Sequence, residues 1–176
     1  MNITIVQYNA GNIQSVLYAL ERLGVAATVT DDPAMIQAAD KVIFPGVGEA
    51  STAMAYLKER NLDQLIVSLK QPVLGICLGM QLMCDHSEEG DTRGLGIFNV
   101  NVKRFSNNVK VPQMGWNTVK NLKSDLFKID HKYYNSFDYV VEYTCYCAID
   151  ISKRVEYINI ISNCSSEYID LKRSVL

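Results

Sequence analysis

Short strand-like runs alternate with helix-like segments throughout the first half of the chain. Strands are predicted at residues 2–8, 26–30, 41–44 and 73–77, and helices at 13–23, 33–38, 49–60 and 62–69. Short connections in this order imply parallel strands with right-handed crossovers, and a sheet that helices cover on both faces. The chain is therefore predicted to have an α/β fold, a mostly parallel open sheet flanked by helices.

The second half has a different pattern. Residues 85–93 are polar and predict a surface loop, whereas alternating strands are predicted up to residue 105, at 133–149 and at 155–161, with a helix at 165–176. We expect these strands to add antiparallel pairs to the fold. The length of 176 residues and the hydrophobic content of 48% suit a single domain over residues 1–176.

The fourth predicted strand ends in a sharp turn around a cysteine. Cys77 has Gly75 two residues before it and Gly79 two residues after it, and helical spacing follows. This is the form of a nucleophile elbow, in which side chains larger than hydrogen would collide beside the strained nucleophile. The start of the helix would favour the thiolate and leave the N–H of Leu78 free to bind an oxyanion. The competing interpretation is that Cys77 is only a small apolar residue at the end of a buried strand.

A second glycine-rich turn follows the third strand. Pro45, Gly46, Val47 and Gly48 stand between that strand and the next helix, and we call them the 45–48 loop. In open α/β sheets such turns bind anionic or polar ligands.

Composition narrows the functional classes. The net charge of −2 gives no electrostatic reason to expect nucleic acid or an anionic membrane as a partner. The longest apolar runs are far too short to span a bilayer and the N-terminus does not resemble a signal peptide, so we expect a cytoplasmic protein.

Five cysteines without a C-x-x-C pair predict free thiols. Cys145 and Cys147 could be metal ligands, but their alternation favours a shared buried strand face, and no metal site is predicted.

The only tryptophan lies in a loop-like segment of the second half. Trp116 follows a glycine and is flanked by amide side chains at Gln113 and Asn117. A tryptophan in such a segment either plugs a local gap or anchors an interface.

Taken together, these motifs resemble the class I glutamine amidotransferases, and within them the glutaminase subunits of imidazole glycerol phosphate synthase. The matching pieces follow the family's order over residues 1–128: Y-N-A-G-N at 8–12, P-G-V-G at 45–48, G-I-C-L-G-M-Q at 75–81, G-L-G at 94–96 and V-P-Q-M-G-W-N at 111–117. The resemblance implies the flavodoxin-like α/β fold of that family. It also implies an enzyme of histidine biosynthesis that needs no cofactor.

The resemblance assigns roles to individual residues. It implies that Cys77 attacks the side-chain amide of glutamine, forms a glutamyl thioester and releases ammonia. It places oxyanion donors at Leu78 and at or near Val47, and contacts with the substrate glutamine at Gly46, Gly48 and Gln81.

The resemblance also implies a macromolecular partner. Ammonia would pass to a cyclase barrel subunit in a heterodimer. Asn12 and Trp116 lie on segments that face the cyclase in the family, which favours the interface interpretation of Trp116.

The family's catalytic base is not identifiable in this sequence. The motif Q-F-H-P-E-K-S is not found, and the two histidines are His86 and His131. If the helix after Cys77 continued, His86 would lie roughly 13 Å along its axis, beyond hydrogen-bond reach. His131 is expected on the surface, and Asn135 replaces the histidine of the family's H-S-Y-Y segment in the better alignment.

Residues 151–176 do not align with the family and are expected to be atypical or altered. We therefore expect glutaminase activity far below that of a complete homologue. Two other functions remain open, namely a non-catalytic scaffold for a cyclase-like partner, and a cysteine hydrolase of the α/β-hydrolase type that shares only the elbow.

Overall fold

The computed structural model describes residues 1–9 and 12–104. Within these ranges, four parallel strands form the main sheet, in the order β2-β1-β3-β4. The strands are β1 (Ile3–Val6), β2 (Ala27–Thr30), β3 (Lys41–Phe44) and β4 (Val73–Gly75). The predicted parallel sheet is confirmed, although three of its four strands are shorter than the sequence pattern indicated.

Five α-helices accompany the sheet in the described part of the chain. They are α1 (Ile13–Arg22), α2 (Pro33–Gln37), α3 (Ala50–Glu59), α4 (Leu62–Ser68) and α5 (Leu78–Leu82). None of the helices in the described part of the chain is long and apolar enough to cross a membrane.

Polar side chains determine where three of the helices begin. Asn12 accepts a hydrogen bond from the N–H of Ser15 at the start of α1, and Asp32 accepts two N–H bonds at the start of α2. Glu49 accepts from the backbone and hydroxyl groups of Ser51 and Thr52 at the start of α3. The backbone bonds at all three caps satisfy N–H groups that have no partner within the helix. The bonds that Glu49 accepts from Ser51 and Thr52 also lower the pKa of its carboxyl group to about 2.

The main core lies on one face of the sheet. Val6 of β1, Phe44 of β3 and Tyr8, which follows β1, pack there against apolar residues of α2, α3, α4 and α5. On the opposite face Ile3, Ile5 and Ile43 pack against α1, whose own residues are only partly buried. Alternate side chains of β1 thus pack into the two cores, as expected for a strand that is covered on both faces.

A second, three-stranded sheet follows α5. It contains β5 (Cys84–Ser87), β6 (Thr92–Arg93) and β7 (Phe98–Val102) in the order β6-β5-β7. Antiparallel strands were predicted in this half of the chain. The antiparallel pair, β5–β6, lies in the segment predicted as a loop, and β7, which lies in the predicted strand region, pairs with β5 in parallel.

The predicted surface loop at 85–93 is wrong in most of its length. Polar residues here form strands and a 3-10 turn (Glu89–Asp91), with Ser87 and Thr92 buried. Pairing with neighbouring strands outweighs the weak strand propensity of these residues, and a single sequence does not reveal that pairing.

The strands and the helix predicted beyond residue 105 lie outside the described residues. The single domain over residues 1–176 stays a prediction.

Candidate active site

The candidate site lies at the carboxyl edge of the main sheet. In a sheet of order β2-β1-β3-β4, the chain moves from β1 to β2 on one side and then to β3 on the other. The carboxyl ends of β1 and β3 therefore border a topological switch point, where open α/β sheets bind their ligands. Tyr8 follows β1, the 45–48 loop follows β3, and Cys77 follows β4.

Cys77 has the strained backbone of a nucleophile elbow. Its φ is 51° and its ψ is −114°, a conformation that residues with a side chain rarely adopt. Its neighbours must be small, because a Cβ on Gly79 would overlap the carbonyl oxygen of Phe44 and one on Gly75 would lie 2.9 Å from the Cα of Met80. Cys77 is half-buried, whereas Cys84, in β5, is fully buried. The geometry supports the elbow more than the interpretation of Cys77 as a packing residue.

The surroundings of Cys77 do not favour its thiolate. Burial raises the pKa of the thiol, the N–H of Leu78 lowers it, and the charge of Glu89 raises it again, with a net increase. The start of α5 does lower the pKa of the thiol through the N–H of Leu78, but burial outweighs this effect. α5 has five residues, and so short a helix contributes only a weak dipole against the cost of desolvation.

The N–H of Leu78 already has an acceptor, which corrects the prediction that it is free. It donates to the carbonyl oxygen of Gly46 at 3.3 Å. The 45–48 loop is held close to the elbow, because the N–H of Ile76 also donates to Phe44 at the end of β3, at 3.0 Å. The sequence indicated that the loop and the elbow would be neighbours, but not which way the Gly46 carbonyl points.

The other predicted residues of the 45–48 loop and of α5 surround this contact. Gly46 is buried, the side chain of Val47 is exposed, and Gly48 has a φ of 137°, which strongly favours glycine. Gln81 lies one helical turn after the nucleophile, and its N–H donates to the carbonyl of Cys77 at 3.0 Å.

Two residues near Cys77 were missed in the sequence. Tyr8 is fully buried, its hydroxyl donates to the carbonyl of Pro45, and both desolvation and the charge of Cys77 raise its pKa. Glu89 accepts a hydrogen bond from the N–H of Ala50 at 3.0 Å, and its charge acts on Cys77. A tyrosine directly after β1, at the switch point, was a usable signal. No sequence signal indicated Glu89, because it lies in the segment predicted as a loop.

His86 does not lie on a continuing helix. α5 ends at Leu82, and His86 lies in β5 with its Nε2 2.8 Å from Oδ1 of Asp91. It is the one histidine among the described residues, and this carboxylate is the partner of its ring. The sequence pattern placed His86 in a surface loop, which is wrong, because the chain forms strand β5 from Cys84.

The remaining predicted residues divide into two groups. Asn12 is exposed and caps α1, so its side-chain oxygen is engaged within the chain. Trp116, His131 and Asn135 lie outside the described residues. Within the described ranges, no three His, Cys, Asp or Glu side chains are grouped so that they could hold a metal ion.

Comparisons with known proteins identify the family of this chain. Residues 4–154 match the family model for class I glutamine amidotransferases, so the chain belongs to the class I glutamine amidotransferase family. A solved structure described as a glutamine amidotransferase superposes with a TM-score of 0.57 at 20% identity, covering 68% of this chain and 66% of the other, which supports the fold alone.

Within the family, the chain is similar to the HisH subunits of imidazole glycerol phosphate synthase. The HisH of Bacteroides fragilis is 63% identical over 131 residues, and that of Bacteroides thetaiotaomicron is 60% identical over 131 residues. Each match covers 73% of this chain and 67% of the relative. The HisH of Blochmanniella floridana is 45% identical over 148 residues, which is 81% of this chain and 76% of that relative.

Proposed function

We propose that this chain is the glutaminase subunit of an imidazole glycerol phosphate synthase and supplies ammonia to a cyclase barrel subunit in the cytoplasm during histidine biosynthesis. The observation that carries the proposal is the strained elbow of Cys77 beside the 45–48 loop. The identity of 60–63% with HisH subunits supports the choice of substrate and partner.

The proposed reaction begins at the sulfur of Cys77. The thiolate attacks the side-chain carbonyl carbon of glutamine, the C–N bond breaks, and the thiol proton leaves with the nitrogen as ammonia. Water then hydrolyses the glutamyl thioester, which releases glutamate and restores the thiol. Because burial raises the pKa of Cys77, the attack depends on a base that takes the proton as glutamine binds.

The oxyanion donors that we propose are the N–H groups of Leu78 and Val47. For both to act, the peptide between Gly46 and Val47 must turn, because its carbonyl now accepts the N–H of Leu78. Turning this peptide by about half a revolution would release Leu78 and bring the N–H of Val47 toward the site, in the manner of a two-donor oxyanion hole. The described conformation is thus a resting one, and glutamine or the cyclase would shift it.

We propose that Gly46, Gly48 and Gln81 line the pocket for glutamine. Glu89 adds a carboxylate, the natural partner of the α-ammonium group of an amino acid. Its charge reaches Cys77, so the ammonium end and the reacting amide of one glutamine can be bound together. Asn12 and Trp116 are proposed to face the cyclase.

A second candidate function is a scaffold subunit that binds the cyclase without hydrolysing glutamine. The observation that favours it is the engagement of His86 with Asp91, which leaves Cys77 without a histidine base in the described residues. This candidate predicts a stable complex with the cyclase in which glutamine is not hydrolysed.

Covalent labelling with a diazoketone analogue of glutamine tests the proposal. We expect the reagent to modify Cys77, glutamine to protect against it, and Cys77→Ala to remove the modification. Cys84→Ala is the matched control and should leave the labelling intact, because Cys84 is buried in the small sheet. Modification that glutamine does not slow, or that persists in Cys77→Ala, would exclude a glutamine site at the elbow.

A further inference from the structure

Tyr8 connects the end of β1 with the 45–48 loop. Its ring is fully buried and packs against Phe44 with 4.9 Å between the ring centroids. Its hydroxyl donates to the carbonyl of Pro45. The same oxygen borders Gly46 so closely that a Cβ there would overlap it.

Two successive carbonyls at the start of this loop are therefore held by different groups. The Pro45 carbonyl accepts from Tyr8, and the Gly46 carbonyl accepts from the N–H of Leu78. Only the second bond has to break in the reaction proposed above. The first bond can persist, because the peptide between Pro45 and Gly46 need not move when the next peptide turns.

We propose that Tyr8 is a positioning residue of the glutaminase reaction: its hydroxyl fixes the peptide between Pro45 and Gly46, so that the peptide between Gly46 and Val47 turns about a defined pivot. The inference rests on the proposed function. The hydroxyl can donate throughout the working pH range, because burial raises the pKa of Tyr8. The ring contributes by packing on Phe44, which keeps the hydroxyl under the loop.

Removal of the hydroxyl has a defined consequence. In Tyr8→Phe the Pro45 carbonyl is left buried without a donor, and it regains one only when the loop lifts toward water. The bond between Leu78 and Gly46 then opens more often. The pivot is lost, so the conformation with both oxyanion donors in place forms less readily.

Amide hydrogen exchange measured by NMR on the full chain tests the pivot without any need for activity. In Tyr8→Phe we expect exchange of the Leu78 amide to accelerate about fivefold or more, because the net free energy of one typical hydrogen bond corresponds to about that factor. The Ile76 amide, which donates to Phe44, should be unchanged and controls for folding. Equal rates for Leu78 in both proteins, or a parallel rise at Ile76, would overturn the proposal.

Tyr56→Phe is a matched control, because it also removes a tyrosine hydroxyl, one that donates to Asp31 at 3.0 Å in another part of the molecule. It should leave the Leu78 amide unaffected. A measurement on the unaltered chain adds a check that does not depend on any variant. The hydroxyl proton of Tyr8 should give a slowly exchanging resonance, and rapid exchange of that proton with water would contradict the bond to Pro45.

Labelling separates this inference from the proposed function. Tyr8→Phe should slow modification of Cys77 by the diazoketone about fivefold or more, while alkylation by iodoacetamide, which needs no substrate pocket, stays within about twofold. If the rates of modification by the two reagents change in parallel, Tyr8 affects the reactivity of the thiol itself, which contradicts a positioning role. If the unaltered chain reacts with iodoacetamide but not with the diazoketone, the proposed function fails, and the exchange of Leu78 still decides whether Tyr8 holds the loop.

Discussion

At the scale of single residues, Cys77 combines a reactive geometry with an unfavourable electrostatic environment. The elbow places the half-buried Cys77 at the carboxyl edge of the sheet, yet burial and Glu89 both raise the pKa of the thiol. In the proposed reaction, removal of the proton from Cys77 is therefore the most demanding step.

The raised pKa predicts the pH dependence of alkylation. The rate of iodoacetamide modification at Cys77 should reach half its maximum at a higher pH than for a simple thiol, because only the thiolate reacts. Glu89→Gln removes a negative charge that opposes ionisation, so the profile should move to lower pH. Glu88→Gln is the control and should not shift it. Mass spectrometry of the Cys77 peptide gives these rates, and a profile that Glu89→Gln leaves in place would remove Glu89 from the site.

Glu89 should also determine how tightly glutamine binds. In Glu89→Gln, the glutamine concentration that half-protects Cys77 from the diazoketone should rise about 10- to 100-fold, the effect of losing one charged hydrogen bond. The amide oxygen of the variant can still accept from the N–H of Ala50, so the local fold should survive. In Glu88→Gln, the glutamine concentration that half-protects Cys77 should equal that of the unaltered chain. Equal protection in both variants would show that Glu89 does not bind the substrate.

At the scale of elements, the site depends on the close approach of α5 to the end of β3. Gly79, in the first turn of α5, lies against the carbonyl of Phe44. The contact joins two backbones, so no side-chain rotation can relieve a clash there. The elbow is thereby held against the 45–48 loop.

Gly79→Ala should lower the free energy of unfolding by about 3 kcal/mol and disturb the site, because the new Cβ meets rigid backbone. Gly24→Ala is a matched comparison. Gly24 has a φ of +68° but nothing within 4 Å of a new Cβ, so the loss should be about 1 kcal/mol from backbone strain alone. Urea denaturation of both variants measures the difference. Equal losses would contradict the close packing of α5 on β3.

The parts of the fold that the sequence predicted are those that local patterns encode. The alternating strands and helices and the elbow glycines follow from residue spacing and backbone sterics. Strands β5 and β6 were missed because their polar residues form strands only by pairing with neighbouring segments, whereas β7 lies within the strands predicted up to residue 105. The contact between Leu78 and Gly46 was missed for a similar reason, since residue types do not determine the orientation of a single peptide in a turn.

At the scale of the whole molecule, the strand order brings the site together. Adjacent strands β1, β3 and β4 end in Tyr8, the 45–48 loop and Cys77, and the turn between β5 and β6 adds Glu89. Four segments far apart in sequence thus meet at one edge. Within the described residues, the arrangement brings together the proposed nucleophile, the proposed oxyanion loop and a carboxylate.

Release of ammonia from glutamine, measured with the cyclase subunit present, tests the central claim most directly. We predict slow release by the full chain, at least about 100-fold below that of the Bacteroides fragilis HisH with its own cyclase, because general base catalysis is worth 10²–10⁴-fold. We also predict that Cys77→Ala abolishes this release, whereas Cys84→Ala does not. Release that is the same in the unaltered chain and in Cys77→Ala would contradict the assignment of Cys77 as a glutamine-hydrolysing nucleophile.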